Sequence, residues 1–247
     1  MKVVCIIQAR MGSSRLPGKV LKKIVDKSVL EHDIYRLRKA KNIDEIVIAT
    51  TIENRDNAIV EEAKNLGVRY YRGSELDVLE RYYYAAKETQ AHIVVRVTSD
   101  CPCIDPILID EIINKFKIEF LEGNLDYINN TLELSFPRGY DVEVFSFKVL
   151  EIAYNNAKEK FEREHVTPYI YCNKDKFKVQ VYKSDVDYSN IRVTLDTEED
   201  LNVITKVYEK LYKENKCFGL QDVINLYNSN PKIFAINQKI IQKKFSE

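Results

Sequence analysis

Apolar residues along this chain follow two rhythms. Short, nearly continuous runs at Val3–Gln8, Glu45–Thr50, Val68–Tyr71 and Ile93–Val97 predict strands buried on both faces. Between them, apolar positions recur every three or four residues, as Leu30, Ile34 and Leu37 do within Val29–Lys39, and predict helices. Further helices are expected over Asn54–Leu66, stopped by Gly67, over Asp77–Glu88 with Asp77 as N-cap, and from Pro106 to about Glu119. A strand followed by a helix, four times over, implies a mostly parallel sheet with right-handed crossovers and helices on both faces, a three-layer α/β/α architecture.

From Leu125 the rhythm changes. Asp126–Asn130, Asp141–Phe145, Phe177–Tyr182 and Ile191–Leu195 read as strands, and Phe147–Lys158 and Thr167–Cys172 as helices. Thr197-Glu198-Glu199-Asp200 is a capping box with Asp for Glu, opening a helix to about Lys213, and Gly219–Asn228 is another. No Pro/Gly/Ser-rich linker and no repeat divides the chain. The expectation is one mixed-sheet domain over 1–247, with a ligand-binding half to about 120 and a second half that completes the sheet and builds an acceptor pocket.

Charge narrows the partners. In 247 residues, 38 Lys plus Arg balance 38 Asp plus Glu, so no global field attracts nucleic acid or an anionic membrane. The apolar run at the N-terminus is too short for a signal peptide, and no segment approaches the roughly 20 apolar residues of a membrane span. Five scattered cysteines suit the reduced thiols of a cytoplasmic protein, and Cys101-Pro-Cys103 has no second Cys/His pair with which to hold zinc.

The first strand runs into Gln8-Ala9-Arg10-Met11-Gly12-Ser13-Ser14-Arg15-Leu16-Pro17-Gly18-Lys19. Ligands of such sheets bind beyond the carboxyl ends of the strands, where this loop starts. Backbone amides around Gly12–Ser14 can donate to phosphate oxygens, and Arg10, Arg15 and Lys19 can neutralise the charge of a departing pyrophosphate. The spacing fits neither the P-loop nor the dinucleotide Gly-x-Gly-x-x-Gly pattern. A solvated turn is the competing explanation, yet three cations and two glycines directly after a buried strand favour a nucleotide.

Asp100 and Asp196 each follow a predicted strand and so fall on the same edge as this loop. Two such carboxylates, with substrate phosphates, suit Mg²⁺. Asp196 also adjoins the Thr197 cap, and Asp100 precedes a Pro turn, so structural roles compete for both. Arg96 interrupts an apolar strand and needs a partner, either a carboxylate or a ligand.

The stretch Gln8–Leu21 closely resembles the opening of the spore-coat polysaccharide biosynthesis F family, relatives of the cytidylyltransferases that activate 3-deoxy-manno-octulosonate and sialic acids. The resemblance continues at Asp77–Tyr82, Arg96–Pro102, Gly139–Phe145, Arg163–Thr167 and Arg192–Thr197, covering nearly the whole chain. It implies a nucleotide-diphospho-sugar transferase fold acting with CTP and Mg²⁺. Arg10 and Lys19 would lie on the triphosphate, Ala9 beside the base through its backbone, and Asp100 and Asp196 on the metal. Gln8, Gly12, Ser13, Arg15 and Arg96 belong to the same nucleotide site, which Asp77 and Arg81 would border. A homodimer is expected by resemblance only.

The second-half motifs gather Arg138, Asp141, Glu143, Glu164, His165 and Arg192, a set suited to a hydroxylated, anionic acceptor. His165 is either a proton relay or a structural histidine. The expected reaction transfers CMP from CTP to a sugar-like or phosphorylated acceptor in surface or spore-coat polysaccharide synthesis. A glycosyltransferase consuming a nucleotide sugar and a catalytically silent nucleotide-binding relative are the alternatives. The first would usually carry an Asp-x-Asp pair, which Ser99–Cys103 lacks.

Overall fold

The structure is a computed structural model that describes residues 1–213 and 215–241; residue 214 and residues 242–247, the end of the expected acceptor half, lie outside the described residues. Strands β1 (Val3–Gln8), β4 (Glu45–Thr51), β5 (Arg69–Gly73) and β6 (Ile93–Thr98) form the parallel part of a seven-stranded sheet in the order β5-β4-β1-β6-β8-β7-β9. β8 (Glu143–Ser146) runs antiparallel to both its neighbours, whereas β7 (Tyr127–Asn129) and β9 (Val179–Val181) pair parallel. The sheet is thus mixed but mostly parallel, as expected, with one reversed strand. A small hairpin, β2 (Lys23–Ile24) with β3 (Lys27–Ser28), stands apart from it.

Alternation on β1 explains the layers. Val3, Cys5 and Ile7 face one core with the apolar stripes of α1 (Val29–Leu37), α4 (Pro106–Leu121), α8 (Glu198–Leu211) and α9 (Leu220–Ser229). Val4 and Ile6 face the other, with α3 (Val78–Glu88), α5 (Phe147–Asn156) and α7 (Pro168–Cys172). Helix α2 (Asn57–Asn65) packs beside β5, after a 3₁₀ turn at Asn54–Asp56 that trims the helix expected from Asn54. The Thr197 capping box forms as the sequence implies: Thr197 Oγ1 accepts from the Asp200 amide, and Asp200 accepts from that of Thr197. No helix among the described residues is long and apolar enough to cross a membrane.

Ile191–Leu195 is not a strand of the sheet, contrary to expectation. The position beside β6 is taken by β8, and the segment instead makes a short parallel pairing with Arg138. Arg138 N–H donates to Ile191 O (2.9 Å), Val193 N–H to Arg138 O (2.8 Å) and Leu195 N–H to Asp100 O (2.8 Å). Gly139 permits this pairing. Its φ of +105° suits only glycine, and a Cβ would lie 2.7 Å from the Val193 carbonyl. The chain beyond β6 is therefore laced to the chain before α8, which brings Asp100 and Asp196 together without a shared ladder.

Two smaller elements escape the apolar rhythm. α6 (Lys160–His165) is largely polar and is held by Glu162, whose carboxylate accepts from the Lys158 and Glu159 amides. α10 (Pro231–Phe234) is a single turn that packs on α9.

Candidate active site

The loop after β1 is shaped by its own backbone and by one carboxylate. Ser13 and Gly18 N–H both donate to Met11 O (3.0 Å each), and Gly18 takes the left-handed conformation, φ +68°, before the 3₁₀ turn that carries Lys19. Met11 N–H donates to buried Asp56 (2.7 Å), which also accepts from the Thr51 hydroxyl. The end of β4 thereby fixes the loop that leaves β1.

Lys19 turns inward. Its Nζ donates to Asp100 Oδ2 (2.8 Å), Asp196 Oδ1 (3.0 Å) and Leu195 O (2.8 Å), so all three ammonium protons find acceptors. Burial opposes the charge on Lys19, but Asp100 and Asp196 outweigh it and hold the ammonium above its ordinary value. Burial likewise works against the Asp100 carboxylate; Lys19, with Thr98 and Cys101 as hydrogen-bond donors, holds it below the usual range. Thr98 Oγ1 donates to Asp100 Oδ1 at 2.5 Å.

Asp196 meets three cations. Its Oδ2 accepts from Arg15 Nη2 (2.9 Å) and Arg192 Nη2 (3.0 Å), and its Oδ1 from Lys19. Behind it, fully buried Asp200 takes Arg192 Nε and Nη2, the Asp196 and Thr197 amides, and Asn237 Nδ2. Sequence reasoning gave Asp200 only the cap; the structure makes it the residue that orients both Arg192 and the Asp196 backbone. Beneath the cluster, on α1, Asp33 is wholly buried with neither carboxylate oxygen hydrogen-bonded. Burial pushes its carboxyl well up.

The remaining candidates lie in separate groups. Arg10 reaches Glu75 (Nη1–Oε1 3.3 Å) and not the carboxylates. Arg55 clasps the same Glu75, and neither Arg55 nor Glu75 was singled out from the sequence; both lie beyond strand ends, Arg55 after β4 and Glu75 after β5, which is the signal that could have found them. Arg81 is buried and donates to Ser74 O (2.6 Å) and Glu75 O (3.4 Å), while Asp77 caps α3 and pairs with Arg163 (2.9 Å to Nε). Of the two partners left open for Arg96, a carboxylate or a ligand, the structure supplies the carboxylate: Arg96 pairs with Glu143, which also accepts from Tyr127 (2.8 Å), and it donates to Gln8 Oε1 (3.2 Å).

On the acceptor side, Arg192 goes with Asp196 rather than with its expected companions. Asp141 makes no hydrogen bond or ion pair with the described residues; burial raises its carboxyl to about 6, against the pull of Arg138. His165, half-buried beside Glu164, is held below its ordinary value by burial first of all. Val166, wholly buried next to it, adopts φ +74° with Thr167 N–H donating back to His165 O (2.9 Å), a strained γ-turn for a β-branched residue.

Among the described residues no group of three or more His, Cys, Asp or Glu side chains is arranged to hold a metal. Asp100 and Asp196 nevertheless converge on one cation, the Lys19 ammonium. Two hard oxygen ligands, with the rest left to water and phosphate, fit Mg²⁺ rather than zinc. Cys101 and Cys103 are buried thiols pushed up by desolvation, Cys103 to about 12.

A loop of cations over paired carboxylates, at the carboxyl edge of a mostly parallel sheet, is an α/β class of site whose charges suit an anionic ligand. Known proteins make the class specific. The chain belongs to the cytidylyltransferase family, whose sequence profile matches residues 4–239, and it is a nucleotidyltransferase. It is 43% identical over 253 residues to an uncharacterised protein of Methanocaldococcus jannaschii, covering 100% of this chain and 99% of that one. It is 34% identical to the spore coat polysaccharide biosynthesis protein SpsF of Bacillus subtilis over 93% of this chain and 95% of SpsF. A solved cytidylyltransferase from Leptospira borgpetersenii superposes with a TM-score of 0.90 at 36% identity, covering 99% of this chain and 100% of that one. The resemblance read from the motifs is borne out, and the sugar-transfer alternative gives way to the family assignment.

Proposed function

We propose that this enzyme transfers CMP from CTP to an oxygen of a small acidic or phosphorylated sugar-like acceptor, in a Mg²⁺-dependent reaction that releases pyrophosphate and serves surface polysaccharide synthesis. The observation that carries this reading is the convergence of Asp100 and Asp196 on the Lys19 ammonium, within 3.0 Å, at the end of the loop that leaves β1.

In this reading the acceptor oxygen attacks the α-phosphorus of CTP in line. A new acceptor O–P bond forms, the bond to the bridging oxygen breaks, and pyrophosphate leaves with the electron pair. Lys19 and Arg10 neutralise the growing charge on the leaving group, and the Gly12 amide, the Ser13 hydroxyl and Arg15 position the phosphates. Mg²⁺ held by Asp100 and Asp196 would supply charge neutralisation on the phosphate oxygens. Gln8 and Ala9 line the base side. Arg81 and Asp77 act on the nucleotide through the 74–77 turn that they hold, and the buried Arg96–Glu143 pair keeps Gln8 in place. Arg138, Asp141, Glu164 and His165 receive the acceptor, and Arg192 acts by fixing Asp196. The unit works as one domain, in the cytoplasm, as a homodimer.

Pyrophosphate release on mixing the protein with CTP, Mg²⁺ and a panel of acidic and phosphorylated sugars tests the reading. Release with CTP, absent with UTP, is expected. A protein that binds no CTP at all refutes it.

A further inference from the structure

One ion-pair cluster at the site joins Arg10 to two residues, Arg55 and Glu75, that have no part in the reaction as described. Glu75 accepts from Arg10 Nη1 (3.3 Å) and, through both oxygens, from Arg55 Nη2 (2.5 Å to Oε2). The cluster lies against the side of Gly12 where a side chain would stand. A Cβ on that glycine would sit 3.0 Å from Glu75 Oε1 and 3.1 Å from the Arg55 guanidinium. A carboxylate with two arginines therefore already stands against the phosphate loop at Gly12.

We infer that Glu75 is an internal stand-in for phosphate: in the nucleotide-free protein its carboxylate holds Arg10 and Arg55 over the loop, and an incoming triphosphate displaces it and takes both guanidinium groups. Arg55 is then a fourth cation of the phosphate site, beside Arg10, Arg15 and Lys19. The inference rests on the nucleotide reading given above and assigns that site a further binding residue and a resting state.

The surroundings allow the exchange. Both backbones are anchored and both side chains are not. Arg72 donates to Thr51 O (2.8 Å), Glu53 O (3.1 Å) and Asn57 Oδ1 (2.8 Å), and Met11 N–H binds Asp56, so the segment carrying Arg55 is tied to the phosphate loop. Arg81 holds the Ser74 and Glu75 carbonyls, and Ser74 Oγ accepts from the Leu76 and Asp77 amides (3.2 Å each). The arginine side chains remain 45% (Arg10) and 51% (Arg55) exposed, so rotation alone frees them. Arg192, by contrast, is 9% exposed and locked to two aspartates.

Charge gives the exchange its direction. One carboxylate shared by two guanidinium groups leaves the cluster with an excess positive charge. A triphosphate offers more charge, and its oxygens accept paired donors from arginine as a carboxylate does. Exposed pairs of the Glu75 kind are weak, so the stand-in keeps the arginines oriented without barring the ligand.

Titration calorimetry of CTP and of inorganic pyrophosphate into wild type, Glu75→Gln and Arg55→Gln tests this. Glu75→Gln should bind pyrophosphate and CTP about two- to fivefold more tightly, the strength of an exposed pair returned to the ligand. Arg55→Gln should weaken both by roughly tenfold or more, the loss of charge-assisted hydrogen bonds. Unchanged or weakened pyrophosphate binding by Glu75→Gln overturns the inference, as does unchanged binding by Arg55→Gln. If Glu75→Gln weakens CTP alone, Glu75 touches the nucleoside instead, which also overturns it. Wild type that binds no CTP defeats the cytidylyltransfer reading itself, a result separate from all of these.

Discussion

Removing the Lys19 ammonium while keeping its length, as in Lys19→Met, is the sharpest perturbation of the cluster. The variant leaves Asp100 and Asp196 side by side with one cation fewer and orphans Leu195 O. Breaking a buried pair by deleting one partner costs about 3–5 kcal/mol. These side chains keep 12–21% of their exposure, which places the loss at the lower end, about 3 kcal/mol. For a chain of this size that corresponds to a fall in Tm of roughly 6–12 °C. The loss carries a pH signature. In wild type Asp100 is held below its ordinary value, so its share of stability is present above the unfolded value of about 3.9 and is lost as pH falls through the folded one. Lys19 is held above its ordinary value, so its share is present below about 10.4 and is lost as pH rises through the folded one. Wild-type stability from this pair is therefore flat near neutrality. Without the ammonium, burial prevails at Asp100 and its carboxyl rises. The variant then loses stability as pH climbs from about 4, and its deficit is larger at about pH 7 than at about pH 4.5. Mg²⁺ can replace the missing charge, so it should recover more Tm in the variant than in wild type. Thermal melts at the two pH values, with and without Mg²⁺, read all three effects. A deficit equal at both pH values, or no deficit, refutes the argument.

Two further outcomes follow from particular contacts. Gly139→Ala should lower stability by about 1–3 kcal/mol, because φ +105° strains any side chain and the Cβ meets the Val193 carbonyl at 2.7 Å; a change within experimental error in a urea melt contradicts the close-approach account. Asp141→Asn should raise Tm at about pH 7 but leave it unchanged near pH 3.5. The folded carboxyl, raised to about 6, costs stability as pH climbs through the window between its unfolded and folded values. Equal gains at both pH values would show that its environment does not resist ionisation.

The parallel half of the fold was legible because its central strands β1, β4 and β6 are mostly buried and each intervening helix carries an apolar stripe, as β1 and α1 show; β5, at the edge, is partly exposed. The second half was less so. Ile191–Leu195 has the composition of a central strand, yet its pairing is decided by Gly139 and by β8 taking the place beside β6, facts of tertiary structure that no local pattern carries. The loop cations and Asp100 could be read from their places at strand ends and Asp196 from the apolar run before it, although that run is not a strand; their partners could not. Lys19 turning onto Asp100 and Asp196, Arg192 committed to Asp200, and Arg96 to Glu143 are choices among several opposite charges of equal chemical standing. Arg55 and Glu75 escaped because neither lies in a glycine-rich or apolar context, although the strand-end rule covers both.

The central claim is that the two aspartates, with the loop cations, form one Mg²⁺-assisted site for the triphosphate of CTP. Calorimetric titration of CTP into wild type and Asp100→Asn, each with and without Mg²⁺, tests it most directly. The account predicts that Mg²⁺ tightens CTP binding to wild type and that Asp100→Asn loses most of that gain. Binding that ignores Mg²⁺ in wild type, or a gain that survives intact in the variant, contradicts it.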